Sequence, residues 1–243
     1  MENFLKKSQK IFTSTCDDRG QISIPAVFNF FMDLATEHGT SIKLGADDLM
    51  KKGCIWLTSK TKVVFHKLPK FMDEVELETW PEKPGAIRCN RYYTLRDQDR
   101  LLVEGKSEWA MLELASGRLQ KTADAYPPEL EHCADTVCTE AFARIDEDFS
   151  QCPELLSYTV RSTDIDMSQH MNNAAYLRVL FSALSCQMLD HAAISEAEAH
   201  FRTQCYEGEV LSVRLRETET GYDAGILKED GKPAVTARLT CSK

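Results

Sequence analysis

The sequence has no apolar run long enough to cross a membrane and no recognisable secretion signal. Spanning a bilayer takes about 18 or more consecutive apolar residues, and no such run occurs in the 243 residues. The first seven residues lead directly into polar sequence, without the apolar segment and cleavage site of a signal peptide. They are also neither Arg-rich nor free of acids, as a transit peptide would be. We therefore expect a cytoplasmic protein with no membrane partner.

The usual signatures of nucleotide, cofactor and metal binding are also missing. There is no Gly-rich phosphate loop, no GxGxxG pattern and no GxSxG nucleophile elbow. The nine cysteines occur singly, without a CxxC pair. Cys133 and Cys138 lie near His132, but no second pair of zinc ligands follows. We expect reduced thiols, no cofactor and no metal.

The charge balance argues against nucleic acid as a partner, because the formal net charge is −9 and the pI is about 5.2. Residues 1–130 are balanced in charge, so the whole excess of acid lies in residues 131–243. With 43% hydrophobic and 28% charged residues, the chain has the composition of a folded globular protein. An acidic partner would dock on residues 1–130.

Two stretches, residues 24–44 and 173–189, carry apolar side chains at helical spacing. The second has almost no polar face, which predicts a buried helix. Each is followed by segments in which apolar and polar residues alternate, which predicts antiparallel strands with one wet face. The segment 54–68 is predicted to be one long strand. Four apolar side chains at odd-numbered positions would share one face of it: Ile55, Leu57, Val63 and Phe65.

The pattern repeats once, with an interruption between the copies. Prolines 127 and 128 and the acidic run 146–148 enclose irregular sequence. We predict an N-terminal unit at residues 1–130, a linker at 131–150 and a C-terminal unit at 151–243. Each unit would be an antiparallel sheet around a long helix, which is an α+β fold.

The densest polar cluster lies directly before the second predicted helix, at residues 163–173. Asp166 and His170 are near enough in sequence to pair, and a carboxylate beside a histidine raises the basicity of the imidazole. A helix N-terminus offers free N–H groups to a developing oxyanion. Asn172 or Asn173 is predicted to be the N-cap.

This cluster resembles the active-site motif of the acyl-acyl carrier protein thioesterases of plants and bacteria, roughly S-D-x-D-x-N-x-H-x-N-N-x-x-Y. The matching positions are Asp164, Asp166, His170, Asn172, Asn173 and Tyr176. Further landmarks extend the resemblance over nearly the whole chain: Trp56-Leu57-Thr58, Thr79-Trp80-Pro81, Arg91, Trp109, Gly117-Arg118 and the segment from Phe201 to Cys205. The resemblance implies a tandem (double) hot-dog fold, with two antiparallel sheets each wrapped around a long buried helix. It also implies hydrolysis of fatty acyl-acyl carrier protein thioesters to free fatty acid, which terminates fatty acid synthesis.

The resemblance also implies which residues are catalytic. The family's aspartate falls on Asp166, its histidine on His170 and its cysteine on Cys205. Its asparagine is replaced by Ser168, which donates one hydrogen bond and cannot hold a water between an amide N and an amide O. Its glutamate is replaced by Gln204, which cannot act as a base. These five residues are the candidate catalytic set.

Two mechanisms remain open for this set. In one, Cys205 attacks the thioester with His170 as its base. In the other, Asp166 activates a water or attacks directly, while His170 and Ser168 orient the groups. We favour the second, because hot-dog enzymes in general use a carboxylate.

Two other functions are also open. One is the same hydrolysis on acyl-coenzyme A, and the other is non-hydrolytic binding or sensing of acyl groups. The replacements at Ser168 and Gln204 favour the non-hydrolytic alternative.

The partner implied by the resemblance is acyl carrier protein, which is acidic. Basic side chains of the first unit are therefore predicted to dock it: Lys60, Lys62, Lys67, Lys70, Arg88 and Arg91. Because two hot-dog units can pair within one chain, the sequence is compatible with a monomer and equally with a homodimer.

Overall fold

The computed structural model describes residues 3–242, apart from the side chain of His191. The chain divides into two compact units, Met1–Glu140 (unit 1) and Ala141–Lys243 (unit 2). In the part of the chain that is described, no helix is both long enough and apolar enough to cross a membrane.

In its described residues, unit 1 contains two α-helices and an antiparallel sheet. Its elements are β1 (Leu5–Lys10), α1 (Ile24–Ser41), α2 (Ala46–Lys51), β2 (Cys54–Phe65), β3 (Glu74–Pro81), β4 (Arg88–Asp97), β5 (Arg100–Glu113) and β6 (Arg118–Gln120). The strand order is β1-β3-β4-β5-β2, and β6 pairs with β5. Every strand pair is antiparallel, which is the arrangement that the alternation of apolar and polar residues predicted.

Helix α1 packs its apolar face on this sheet. It begins after Ser23 and has Pro25 in its first turn, where a missing N–H does no harm. Phe31 stacks on Tyr93 of β4, with ring centroids 4.8 Å apart. Gly105 of β5 makes room for this ring, since an added Cβ there would lie 2.8 Å from Cε2 of Phe31. The predicted first helix is confirmed, although it ends at Ser41 and not at residue 44.

Strand β2 differs from its prediction because its register shifts between Thr58 and Lys60. A β-bulge adds one residue to a strand and moves all later side chains to the other face. Val63 is accordingly fully buried, whereas Ile55 and Leu57 are only partly buried. The prediction that these odd-numbered positions share one face is wrong.

Two of the basic residues predicted to dock a partner are buried in unit 1. Lys62 is 3% exposed and Arg91 is 7% exposed. Nη1 of Arg91 lies 2.9 Å from Nδ1 of His38 and 3.3 Å from Oγ1 of Thr79. Neither cation can meet a partner at the surface of unit 1, so the prediction is wrong for these two residues.

Unit 2 repeats the plan with a smaller sheet. Its elements are β7 (Glu154–Thr159), α3 (Asn173–Ser182), α4 (Cys186–Ala192), β8 (Ile194–Phe201), β9 (Val210–Thr218), β10 (Gly221–Lys228) and β11 (Pro233–Cys241). The strand order is β8-β11-β10-β9-β7, again antiparallel throughout.

The second predicted helix is real but shorter than expected. Its start at Asn173 is confirmed, and its side chains are buried except at Asn173, Arg178 and Ser182. The chain then turns, and α4 begins as a separate helix. Ser185 causes the separation, because its Oγ accepts a hydrogen bond from the backbone N of Met188 (3.2 Å) and so caps a new helix.

Residues 144–152, which we call the strap, cross one face of the unit 2 sheet. Nη1 of Arg214 donates to the carbonyl oxygens of Phe149, Ser150 and Cys152 at 3.1–3.3 Å. Phe149 is 1% exposed, and its ring lies over Gly225. An added Cβ at Gly225 would lie 2.6 Å from Cδ2 of Phe149. Most of the strap lies in the predicted linker, residues 131–150. In the structure it has no regular secondary structure but is hydrogen-bonded to the sheet.

Candidate active site

The polar cluster occupies a tight turn between a 3₁₀ turn (Ser162–Asp164) and α3. The backbone N of Asp166 donates to the carbonyl oxygen of His170 (3.2 Å), and the backbone N of Gln169 donates to that of Asp166 (3.0 Å). Gln169 has φ of 65°, a left-handed conformation that closes the turn. The chain reversal brings positions 166, 168 and 170 together.

The side chains of Asp166, Ser168 and His170 form one hydrogen-bonded array. Oγ of Ser168 bonds to Oδ1 of Asp166 and lies 2.9 Å from Nε2 of His170. A hydroxyl has one hydrogen, so when Ser168 donates to the carboxylate, Nε2 of His170 donates to Oγ. The predicted pairing of Asp166 with His170 is thus made through Ser168, which gives a path for a proton between them.

Asn172 joins this array from the start of α3. Its Oδ1 accepts a hydrogen bond from the backbone N of Ala174 (2.8 Å), so it is the N-cap, as one of the two predicted asparagines. Its Nδ2 donates to Oδ2 of Asp166 (3.0 Å). Sequence reasoning missed this second bond, since a cap signal says nothing about where the other amide atom points.

Asp164 stabilises the turn through buried hydrogen bonds. It is 4% exposed, and it accepts hydrogen bonds from Oη of Tyr158 (2.7 Å) and from Nη2 of Arg178 (3.1 Å). Its carbonyl oxygen accepts from the backbone N of Asn172 (2.8 Å). Burial and then the hydrogen bond to Asp164 raise the pKa of Tyr158, so the phenol stays protonated and remains a donor.

Gln204 and Cys205 adjoin the turn through the backbone. The N of Met171 donates to the carbonyl oxygen of Cys205 (2.8 Å). Cys205 is fully buried, its own N donates to Oη of Tyr176 (3.0 Å), and burial raises the pKa of its thiol. Gln204 is exposed, and its Oε1 accepts from Oη of Tyr206 (3.2 Å). Among the described residues, no side-chain hydrogen bond links either of them to the array.

The start of α3 also presents a free donor. The backbone N of Ala174 is taken by the cap, but that of Asn173 has no hydrogen-bond partner within residues 3–242. It lies at the positive end of the helix dipole, where negative charge is stabilised. Over the same described range, no group of three or more His, Cys, Asp or Glu side chains is placed to hold a metal ion.

Unit 1 contains the same turn directly before α1. The N of Asp17 donates to the carbonyl oxygen of Gln21 (2.7 Å), and the N of Gly20 donates to that of Asp17 (3.1 Å). Cys16 and Ile22 form an isolated bridge, as Ile165 and Met171 do in unit 2. The aspartate stands seven residues before the first helical residue in both units. That shared spacing was the signal that could have revealed a residue-level repeat.

The chemistry of the two turns differs. In unit 1, Arg19 ion-pairs with Asp17 (2.9 Å), and Gln21 stands where unit 2 has the histidine. Ser23 stands at the cap position, without a side-chain cap bond. The backbone turn is therefore a structural element of both units, whereas the array of carboxylate, hydroxyl and imidazole belongs to unit 2.

Comparison with known proteins gives the class of the molecule. The acyl-ACP thioesterase N-terminal domain model matches residues 2–129, and the C-terminal domain model matches residues 149–240. A solved acyl-ACP thioesterase from Bacteroides thetaiotaomicron superposes with a TM-score of 0.89 at 17% identity, covering 99% of this chain and 98% of that one. The 12:0-ACP thioesterase from Umbellularia californica gives 0.85 at 19% identity, with coverages of 100% and 98%.

These matches define an α+β protein with the double hot-dog fold, as the sequence predicted. The chain belongs to the acyl-ACP thioesterase family.

Curated relatives agree with this assignment. The chain is 23% identical over 235 residues to the chloroplastic oleoyl-acyl carrier protein thioesterase of Coriandrum sativum, covering 90% of this chain and 63% of that protein. It is 25% identical over 222 residues to the chloroplastic palmitoyl-acyl carrier protein thioesterase of Arabidopsis thaliana, covering 86% and 53%. The chain thus spans about half to two thirds of the length of these relatives.

Proposed function

We propose that this chain hydrolyses fatty acyl thioesters of acyl carrier protein, releasing free fatty acid and ending elongation. Membership of the acyl-ACP thioesterase family supports this activity. The observation that carries the proposal is the array of Asp166, Ser168 and His170 at the start of the buried helix α3. It combines a base, hydrogen-bonded side chains that orient the base and an adjacent N–H donor, which are elements that thioester hydrolysis uses.

In the favoured mechanism, Asp166 is the general base. It takes a proton from a water whose oxygen forms a bond to the thioester carbonyl carbon. The negative charge that develops on the carbonyl oxygen is stabilised by the free N–H of Asn173. The C–S bond then breaks, and the carrier thiolate takes up the proton that Asp166 accepted, while Ser168 and His170 orient the carboxylate. A base contributes about 10²–10⁴-fold and one oxyanion donor about 10²–10³-fold.

The environment of Cys205 supports the carboxylate route over the cysteine route. A thiol attacks as its thiolate, and reactive cysteines are partly exposed with a lowered pKa. Cys205 is fully buried, and burial raises the pKa of its thiol. Gln204 beside it supplies no base.

The Cys205→Ala variant tests this choice. Since the sulfur is not the nucleophile in the proposed route, we expect kcat/KM to stay within about tenfold of the wild type, whereas loss of a true nucleophile removes about 10⁴-fold or more. Steady-state hydrolysis, with thermal unfolding of both proteins, measures the difference. A drop of several orders of magnitude in a folded variant would establish the cysteine route.

The activity itself is tested with a panel of acyl carrier protein thioesters of six to eighteen carbons and the matching coenzyme A thioesters. Release of free fatty acid with a clear carrier preference is the expected result. Equal turnover of the coenzyme A esters would support the acyl-coenzyme A alternative. Binding of acyl carriers without turnover would support the non-hydrolytic alternative, which the replacements at Ser168 and Gln204 favour.

Carrier docking is proposed for the exposed lysines of unit 1 near the loop that precedes β3. Lys67 and Lys70 are exposed, whereas Arg88 is already paired with Glu108 (2.5 Å). We expect the Lys67→Glu/Lys70→Glu variant to raise KM for carrier-bound substrate several-fold, without raising it for a short thioester that lacks the carrier.

The matched control makes the same change of charge elsewhere in unit 1. Lys51 and Lys52 are exposed at the end of α2. Their replacement by glutamate should leave both KM values unchanged. An equal increase in KM for both substrates, or for both double variants, would remove the docking assignment.

We further propose that the protein acts in the cytoplasm, as a monomer or a homodimer, without a nucleic-acid or membrane partner. The net charge of −9 supports the absence of a nucleic-acid partner, since a polyanion would be repelled.

A further inference from the structure

We propose that Asn172 is a positioning residue that selects which oxygen of Asp166 acts as the base. This inference rests on the proposed function. A single carboxamide would then hold the start of α3 with one atom and aim the catalytic carboxylate with the other.

The hydrogen bonds around Asp166 leave one acceptor position open. An ionised carboxylate has two oxygens with about four lone-pair sites. Oδ1 accepts from the backbone N of Ser168 (2.8 Å) and from its hydroxyl. Oδ2 accepts from Nδ2 of Asn172 (3.0 Å). The remaining site is on Oδ2, beside the bond from Asn172, so the attacking water would bind there.

The orientation of the Asn172 amide is fixed by its surroundings. The atom facing the backbone N of Ala174 must be an acceptor, so the amide nitrogen must face Asp166. The backbone N of Asn172 is held by Asp164, whose carboxylate is bound in turn by Arg178. The carboxamide therefore cannot turn without losing the cap of α3.

Unit 1 shows that the turn does not need this carboxamide for its structure. Ser23 occupies the corresponding position and makes no side-chain cap bond, yet the turn and α1 form in the same way. The second oxygen of Asp17 is held there by Arg19. The bond between amide and carboxylate is thus a feature of the unit with the imidazole.

Other ionisable groups also surround the turn. His170 faces Asp166 through Ser168, and Asp164 is paired with Arg178. Beyond the bond between Met171 and Cys205 lie the Cys205 thiol and the ion pair of Glu209 with Lys228. In the Asn172→Asp variant, a second carboxylate would face Asp166, and like charges make the ionised form of a carboxylate less favourable.

Asn172→Asp is the decisive variant, because it keeps the size and the capping oxygen and replaces only the donor. We expect kcat to fall roughly 10- to 100-fold, since a displaced base is poorly aligned, with KM nearly unchanged. The acidic limb of the pH–rate profile should move upward by about one pH unit. Asn172→Ser, which keeps a good capping oxygen without adding charge, should lower kcat with a smaller displacement of the profile.

Ser23→Asp is the matched control, since it places the same side chain at the same position of the unit 1 turn. We expect its kcat, KM and pH profile to equal those of the wild type. Thermal unfolding of all variants shows whether the folds are intact. An Asn172→Asp variant with unchanged kcat and pH profile would overturn the proposal, as would a loss of activity that only follows a loss of stability.

A direct measurement separates this inference from the activity. The ionisation of the Asp166 carboxyl group can be followed by ¹³C NMR in the full chain, in wild type and Asn172→Ser. A displaced titration midpoint is expected even if no thioester is turned over, in which case the proposed function fails and the positioning bond stands. An unchanged midpoint would overturn the inference, whatever the activity.

Discussion

The Asp166→Asn variant should lose roughly 10²–10⁴-fold in kcat/KM while remaining folded. The amide has nearly the same size as the carboxylate, and its oxygen can still accept the hydrogen bonds from Ser168. It cannot take a proton from water, so the step that forms the bond to the carbonyl carbon loses its base. Initial rates on the best acyl carrier substrate give the size of the effect.

The matched control for this variant is Asp17→Asn. Asp17 occupies the same place in the same backbone turn, and its carboxylate also accepts from the backbone two residues later, in this case the N of Arg19 (3.0 Å). If the loss at Asp166 reflected only damage to the turn, the two substitutions would have similar effects on thermal unfolding and neither would be selective for activity. Substantial hydrolysis by a folded Asp166→Asn variant would exclude the general-base assignment and return attention to Cys205.

The second large effect is on stability and concerns the strap. The Phe149→Ala variant is expected to lower the free energy of unfolding of unit 2 by about 3–5 kcal/mol, because a buried phenylalanine leaves a cavity when it is removed. Its ring is 1% exposed, and it lies under the guanidinium group of Arg216, whose Cζ is 4.9 Å from the ring centroid. Denaturant unfolding of the full chain measures the change.

Two further substitutions, one of them also combined with Phe149→Ala, make this measurement specific. Phe12→Ala removes a ring that is 51% exposed, and it should change stability by less than about 0.5 kcal/mol. Gly225→Ala should destabilise the wild type, because the new methyl group collides with the ring of Phe149. In the Phe149→Ala background the same change should be much less harmful. If the losses of stability caused by Phe149→Ala and by Gly225→Ala simply added in the double variant, the contact between Phe149 and Gly225 would not be the cause of the destabilisation by Gly225→Ala.

The element pattern was predictable from the sequence because it depends on local periodicity. Helices α1 and α3 were expected; α1 buries one apolar face, and α3 is buried because its side chains are apolar on most sides. The differences occur where one residue changes the geometry. The β-bulge between Thr58 and Lys60 reverses the faces of β2, and Ser185 divides the second helix.

The candidate site was predictable in part, because its central residues are close in sequence. Asp166, Ser168 and His170 lie within five positions, and the spacing to the helix start identifies the cluster. The bridging role of Ser168 was not predictable, since it depends on the left-handed conformation at Gln169. The burial of Lys62 and Arg91 could not be predicted from their charge either, because it is decided by which face of a strand points inward.

The sequence alone therefore determined the class of fold, the family, and the short segment in which the chemistry is proposed. These follow from apolar spacing and from residue types within about a dozen positions, which act through local backbone geometry. The tertiary structure decided which groups meet. It bound the strap to the sheet, buried Cys205 beside Tyr176, and placed the side-chain amide nitrogen of Asn172 within hydrogen-bond distance of Asp166. Such contacts depend on the packing of distant segments and on the direction of single hydrogen bonds, which no local pattern encodes.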